Sequence, residues 1–552
     1  MKSLKKITVL LLVAAMMLGT LAACGGAGDD AASANAVNIP IALEPESLDS
    51  SRANETVATQ LSMETQETLI RYDENNNVIP AGAEKWEISP DGTVYTFHLR
   101  ENKWSDGTTV TAGDYANGLL RALDPVVASA VAANYYTIKG AEDYNSGKTD
   151  RESVGIKALD DKTLEITLNG PVPYFILTLN AAAACPVPEK LTEGDANITY
   201  GADETTMLFS GPFMISTYER GSKIITVKNP NFWDAENVHI ETVNYLLAQD
   251  ENTRGQMFKQ GELDLLTDIN AKYIEEVQSE IDAGKFLPVR MPKPTNGYIA
   301  FNCEDSTGLF ANAKVRLAFS LGFDREAYVT HILQKDLPAY GFVPPVTNNV
   351  EGKFRDNAPE PLKDLNIDPK ALLQEGLAEL GMSAEGLTVE LLQSNSNAGT
   401  KARSEYFMNQ WKTNLGVEVK LETSADGAAF NNSIKTGDYQ IIISGWGADY
   451  NDPMTFMQMF TTGDANNSAH YSNARYDELV WSAASENDLA VRAEKFAEAE
   501  RLLVLEEAGV APLTYGFGTN IINPALKGVI FNPAGGPSYE LRFATLETPA
   551  AE

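Results

Sequence analysis

The chain has 552 residues, too many for one small core, so two or three lobes are expected. Its 76 acidic residues outnumber 43 basic ones, and the formal charge is -33. A body this acidic repels nucleic acid and anionic lipid headgroups, which removes both as ligands. With 43% hydrophobic and 22% charged residues, the composition is that of a globular protein and not of a disordered one.

Lys2, Lys5 and Lys6 precede an apolar run from Ile7 to Leu18 that is broken only by Thr8, and Leu21-Ala22-Ala23-Cys24 follows. The run is shorter than the ~20 residues a spanning helix needs, so residues 1–23 read as a secretory signal. A leader ending in Leu-Ala-Ala-Cys resembles a bacterial lipobox, which implies acylation of Cys24 and cleavage before it. Cleavage removes three lysines and no acids, taking the charge from -33 to -36. Residues 24–36, rich in Gly, Ala, Asp and Ser, form a flexible tether, and residues 548–552 a loose tail.

Alternating, β-rich runs come next, at 37–43, 93–100, 154–159 and 163–168. A helix is predicted over 112–123, where apolar residues recur at three and four spacing, with Thr111 as its N-cap. Strands follow at 213–218, 223–228 and 242–247. The rhythm then changes. Helices over 369–380, 400–415 and 428–435 alternate with strands at 387–393, 417–421 and 439–444, the pattern of a sheet covered by helices. A long amphipathic helix over 488–507 leads to a last strand pair, 510–515 and 519–522.

Several stretches occur in a telling order. Residues 83–125 read AEKWEISPDGTVYTFHLRENKWSDGTTVTAGDYANGLLRALDP. Glu44-Pro45-Glu46-Ser47-Leu48-Asp49 stands before it, and Val172-Pro173-Tyr174-Phe175, Ser210-Gly211-Pro212-Phe213 and Lys228-Asn229-Pro230-Asn231-Phe232-Trp233 stand after it. Val315-Arg316-Leu317-Ala318, Pro338-Ala339-Tyr340-Gly341 and Gly445-Trp446-Gly447-Ala448-Asp449-Tyr450-Asn451-Asp452-Pro453 complete the series. Over residues 37–545 the chain resembles the family 5 solute-binding proteins, the oligopeptide, dipeptide and nickel binders of ABC importers.

The resemblance implies an α/β, two-lobed periplasmic-binding-protein-like fold (type II, cluster C) with an extra β-rich subdomain. Lobe I is expected to comprise 36–74, 199–300 and 510–547, with the subdomain at 75–198 and lobe II at 301–509. The two crossings, near 298–303 and 507–512, would act as a hinge. The implied activity is capture of peptides by a monomer at the outer face of a Gram-positive membrane, without a cofactor. The implied partners are permease subunits with their ATPases.

Asp449 follows the apolar run Ile441-Ile442-Ile443 and a predicted turn at Gly445-Trp446-Gly447, past a strand's carboxyl end, where ligand crevices of α/β proteins lie. In the family this aspartate pairs with the ligand's α-ammonium. Gly445 and Gly447 let backbone approach closely, Trp446 offers a flat apolar wall, and Tyr515 resembles a family tyrosine facing the cleft. Bland readings stand beside these: a capping role for Asp449, core packing for Trp446, interlobe packing for Tyr515. Where oligopeptide binders carry basic residues for the peptide carboxylate, this chain has Ile332, Thr400 and Ile443, with Lys335, Lys401 and Arg403 close by.

Other constellations fail on inspection. Asp73 to Glu84 imitates a calcium loop, but Val78 stands where the turn needs glycine. Ser146-Gly147-Lys148-Thr149 imitates half a phosphate loop, but Glu142 replaces its first glycine. The four histidines are scattered, with His470 read as structural, and no nucleophile-base pair can be named for a lipoprotein hydrolase. Cys185 and Cys303 are compatible with a disulfide or with two buried thiols. A receptor for signalling peptides, or a binder of nickel or haem, is the alternative within the family.

Overall fold

The structure is a computed structural model, and it describes residues 35–194, 196–531 and 537–547. The leader, Cys24, nearly all of the tether and the tail lie outside the described residues. No helix among the described residues is long and apolar enough to cross a membrane.

The fold is a two-lobed α/β architecture built on three main sheets. In the first, Ala36–Ile41 runs parallel to Thr242–Leu247, which continues antiparallel into Lys223–Lys228 and Phe213–Glu219. Val37, Ile39, Phe213, Ile224 and Val243 alternate onto its buried face. The second sheet is antiparallel and joins Ala83–Ile88, Val94–Leu99, Thr163–Thr167 and Ile156–Asp160. Its first hairpin turns at Asp91-Gly92, where Gly92 has φ +73. The Ala112–Ala122 helix starts at Thr111 in a capping box with Asp114.

The third sheet has seven strands and runs Leu265–Leu266, Val510–Ile522, Leu287–Phe301, Ile441–Gly447, Thr388–Gln393, Glu418–Thr423, with Leu337–Pro338 joined to Val510–Ile522. Its last strands are parallel and alternate with the helices Ala398–Leu415 and Gly427–Thr436, as the periodicity predicts. Two long antiparallel strands, Leu287–Phe301 and Val510–Ile522, form its spine. One end of the spine borders Leu265–Leu266, which is tied to the first sheet by the Asp264 carboxylate accepting the Asn38 N–H at 2.8 Å. The other end borders Ile441–Gly447.

The predicted strand pair at 510–515 and 519–522 is one continuous strand. Gly516 and Gly518 suggest a turn, yet neither has positive φ. They are small because the partner strand crowds them: a Cβ on Gly518 would lie 2.6 Å from Lys293 Cε. The partner strand shifts register between Pro292 and Asn296, where its prolines interrupt the ladder.

The β-rich unit does not pack by itself. Its buried aromatics, among them Tyr95, Phe97 and Phe175, belong to one apolar cluster with Tyr450, Phe456, Phe460 and Phe496. Tyr174 stacks on Tyr450 at 5.1 Å and 9°. Beneath them Arg492 and Asp452, both fully buried, form a bidentate pair with contacts of 2.6 and 2.8 Å.

Candidate functional site

The site is built on the Ile441–Gly447 strand. Ile441 and Ile442 are buried and pair on one side with Leu391 and Leu392, on the other with Phe301 and Ala300. From Ile443 onward only the second neighbour continues, as far as Gly447 opposite Thr295. Among the described residues, the other backbone edge of 443–447 has no strand beside it.

The expected turn at Gly445-Trp446-Gly447 is therefore corrected to extended strand. Neither glycine has positive φ, and they pair with Gly297 and Thr295. The missing side chain serves proximity instead: a Cβ on Gly445 would lie 2.8 Å from the Asn296 carbonyl oxygen.

Side chains of this strand alternate between two hollows. On one face Ser444 and Trp446 line a cavity of about 790 Å³ with Tyr298, Met459 and Asn467. On the other, Ile443 lines a cavity of about 320 Å³ with Lys335, Asp336 and Arg403. Burial raises the Asp336 carboxyl pKa, and the neighbouring Lys335 ammonium pulls it down.

Beyond Gly447 the chain leaves the sheet, and Asp449 is exposed at its end. Surrounding protein nonetheless withholds enough water to raise its carboxyl pKa, and a hydrogen bond from Thr455 opposes that shift. Among the described residues no cation pairs with this carboxylate. Trp446 is half-buried, and its indole N–H donates to Thr455 Oγ1 at 3.3 Å. Thr455 carries no sequence signature beyond its place in the first turn after Pro453, and sequence reasoning missed it.

The basic candidates separate. Arg403 lines the smaller cavity and donates to Thr400 Oγ1 at 3.2 Å. Lys401, on the same helix, is exposed, pairs with Glu405 at 3.7 Å and lines neither cavity. Tyr515, expected to face the cleft, is 3% exposed. Its hydroxyl donates to Glu360 Oε1 at 2.6 Å and accepts the Gly341 N–H at 3.0 Å. The Leu337–Pro338 strand pairs alongside it, and Gly341, Arg355 and Glu360 meet its hydroxyl, so in this conformation the side chain is buried.

The remaining candidates are structural. Cys185 and Cys303 are free thiols. A ring nitrogen of His470 is 2.8 Å from the Ile434 carbonyl oxygen. The Asp73 carboxylate accepts the Asn75 and Asn77 N–H groups and shapes a hairpin turn.

Two lobes carried on a shared pair of long strands, with a concave site between cavities, define a periplasmic-binding type of protein. Residues 77–468 match the model of bacterial extracellular solute-binding proteins, family 5 (middle region), and the chain belongs to that family. It is 31% identical to the dipeptide-binding protein DppE of Bacillus subtilis, covering 89% of each chain. It is also 31% identical to the oligopeptide-binding protein OppA of Bacillus subtilis, covering 98% of this chain and 99% of the relative. The periplasmic murein tripeptide-binding protein MppA, in an unliganded open form, superposes with a TM-score of 0.80 at 27% identity, over 93% of this chain and 98% of its own. Listeria monocytogenes OppA bound to peptide gives 0.70 at 29% identity, over 94% and 100%.

Proposed function

We propose that this chain is the extracytoplasmic binding component of an ABC importer, capturing peptides between its lobes and delivering them to permease subunits driven by ATPases. The observation that carries this reading is Asp449, an uncompensated carboxylate short of water at the end of a strand with a free edge. A peptide laid along 443–447 gains main-chain hydrogen bonds that are indifferent to its sequence. Its ammonium supplies the charge Asp449 lacks, and its side chains fall alternately into the two cavities. We assign its carboxylate end to Arg403, with Lys401 on the same helix as a secondary contact. Gly445, Trp446 and Gly447 form the floor, and Tyr515 supports the wall from behind.

In this reading lobe I comprises 36–74, 199–300 and 510–547 with the appended unit 75–198, and lobe II comprises 301–509. Closure turns them about the paired long strands. Ligands released by unfolding the protein purified from its native host, identified by mass spectrometry, should be peptides with free amino termini. A loaded protein that releases only molecules without an amine overturns the reading.

The same proposal makes residues 1–23 a signal peptide and Cys24 the sole, acylated anchor of a monomer on the outer face of a Gram-positive membrane. Cys24→Ala should move the protein from the membrane fraction to the medium, read by fractionation and blotting. Undiminished membrane association removes the anchor. A receptor for signalling peptides would use the same cleft, and the pheromone receptor PrgZ shares this fold with a TM-score of 0.71 at 26% identity. Permease and ATPase genes found adjacent to the gene for this chain would favour import over that second reading.

A further inference from the structure

The carboxylate of Asp449 and the indole of Trp446 are held by one atom. Thr455 Oγ1 accepts the Asp449 backbone N–H at 3.2 Å and the Trp446 Nε1–H at 3.3 Å. Its own proton is directed to Asp449 Oδ2 at 3.4 Å. A hydroxyl has one donor and two acceptor positions, so the whole capacity of this one is used by two residues that border the cleft. Thr455 is fully buried between Met454 and Phe456, themselves fully buried, and its β-branched side chain has little rotamer freedom. Asp449 itself is exposed and, among the described residues, has no cation to fix it, so without this hydroxyl its carboxylate is free to rotate into solvent.

We infer that Thr455 is a positioning residue that aims the Asp449 carboxylate and the Trp446 ring together, and so sets the preference of the cleft for a ligand with a free ammonium. The inference rests on the assignment of Asp449 to that ammonium. With Oδ2 held from within the protein, Oδ1 has no protein donor among the described residues and is presented to the ligand. The short helix Met454–Met457 then serves to bring Thr455 back under the strand end it follows.

Thr455→Val keeps the shape and deletes the hydroxyl, whereas Thr455→Ser keeps the hydroxyl. Two measurements separate the inference from the reading beneath it. In the ligand-free protein, a ¹³C titration of Asp449 should show its pKa raised further in Thr455→Val and restored in Thr455→Ser, with the Trp446 indole N–H resonance moving in parallel. A hydrogen bond donated to a carboxylate favours its charged form, so its loss must act in that direction. A Thr455→Val protein with an unmoved Asp449 titration and an unmoved indole resonance overturns the inference.

Calorimetry with tetra-alanine and N-acetyl-tetra-alanine provides the second readout. The wild-type preference for the free amine should fall roughly tenfold in Thr455→Val and return in Thr455→Ser, the scale of one hydrogen bond to a charged group. Loss that Thr455→Ser fails to rescue assigns Thr455 to packing alone and overturns the inference. Wild-type protein that binds both peptides equally removes the ammonium reading. In that case the titration still decides the hold of Thr455 on Asp449.

Discussion

Asp449→Ala is expected to weaken binding of a free-amine peptide by about 2–5 kcal/mol, the cost of truncating one partner of a desolvated, hydrogen-bonded charge pair. The variant should remain folded, because among the described residues the Asp449 side chain bonds only to Thr455, and it lies exposed at a strand end. Acetylating the peptide's amino terminus deletes the same pair from the other side. Calorimetry over the four combinations of protein and peptide should therefore show two losses that do not add. Equal affinity of wild type for free and acetylated peptide sinks the assignment. The pH dependence follows from the raised pKa of this carboxylate. The ammonium needs an ionised partner, so affinity should fall as pH drops through that raised value, and in Asp449→Asn the fall should be absent.

The largest expected effect on stability lies behind the site. Arg492 donates to both Asp452 oxygens and to Asn349 Oδ1, and every one of these side chains is buried. Arg492→Met leaves Asp452 as an unpaired charge in the interior, and a loss of roughly 3–5 kcal/mol is expected. Replacing both partners by apolar residues, as in Asp452→Leu with Arg492→Met, should recover much of it, because no buried charge is then left over. Urea midpoints of the single and double variants measure this. A multi-lobed chain need not unfold in two states, so midpoints are compared in place of extrapolated energies. A urea midpoint left nearly unmoved in Arg492→Met would place the pair among solvated surface contacts and contradict its burial here.

Elements whose signals are local were legible from sequence. The Pro369–Leu380 helix carries an aspartate cap, a first-turn proline and Gly381 in the left-handed region, and it begins and ends where those residues predict. The Leu287–Phe301 strand went unseen because Pro288, Pro292 and Pro294 argue against a strand. Tertiary pairing overrides that preference, holding Pro288 in register with Ile521 and shifting register between Pro292 and Asn296. Glycines misled twice, at Gly445-Trp446-Gly447 and at Gly516 to Gly518, because sequence cannot tell a glycine that turns from one that makes room. Asp449 is singled out by its motif. Thr455 is not, because the role proposed for it exists only once the short helix folds it back under the strand. The burial of Tyr515 likewise depends on segments distant in the chain, with Leu337 paired beside it and Gly341 and Glu360 meeting its hydroxyl.

The half-open strand at 443–447 is also a hazard, since a bare sheet edge invites other chains to join it and aggregate. In the proposed closed form this edge, flanked by hollows, would lie recessed between the lobes. A folded protein's own edge strand is too thick, with its neighbours and covering helices, to be lowered into such a recess. A single extended chain with no partners of its own is thin enough. The sieve is thus one of girth and needs no sequence code. Substitutions that widen the recess should be dangerous for solubility before they are harmful to affinity.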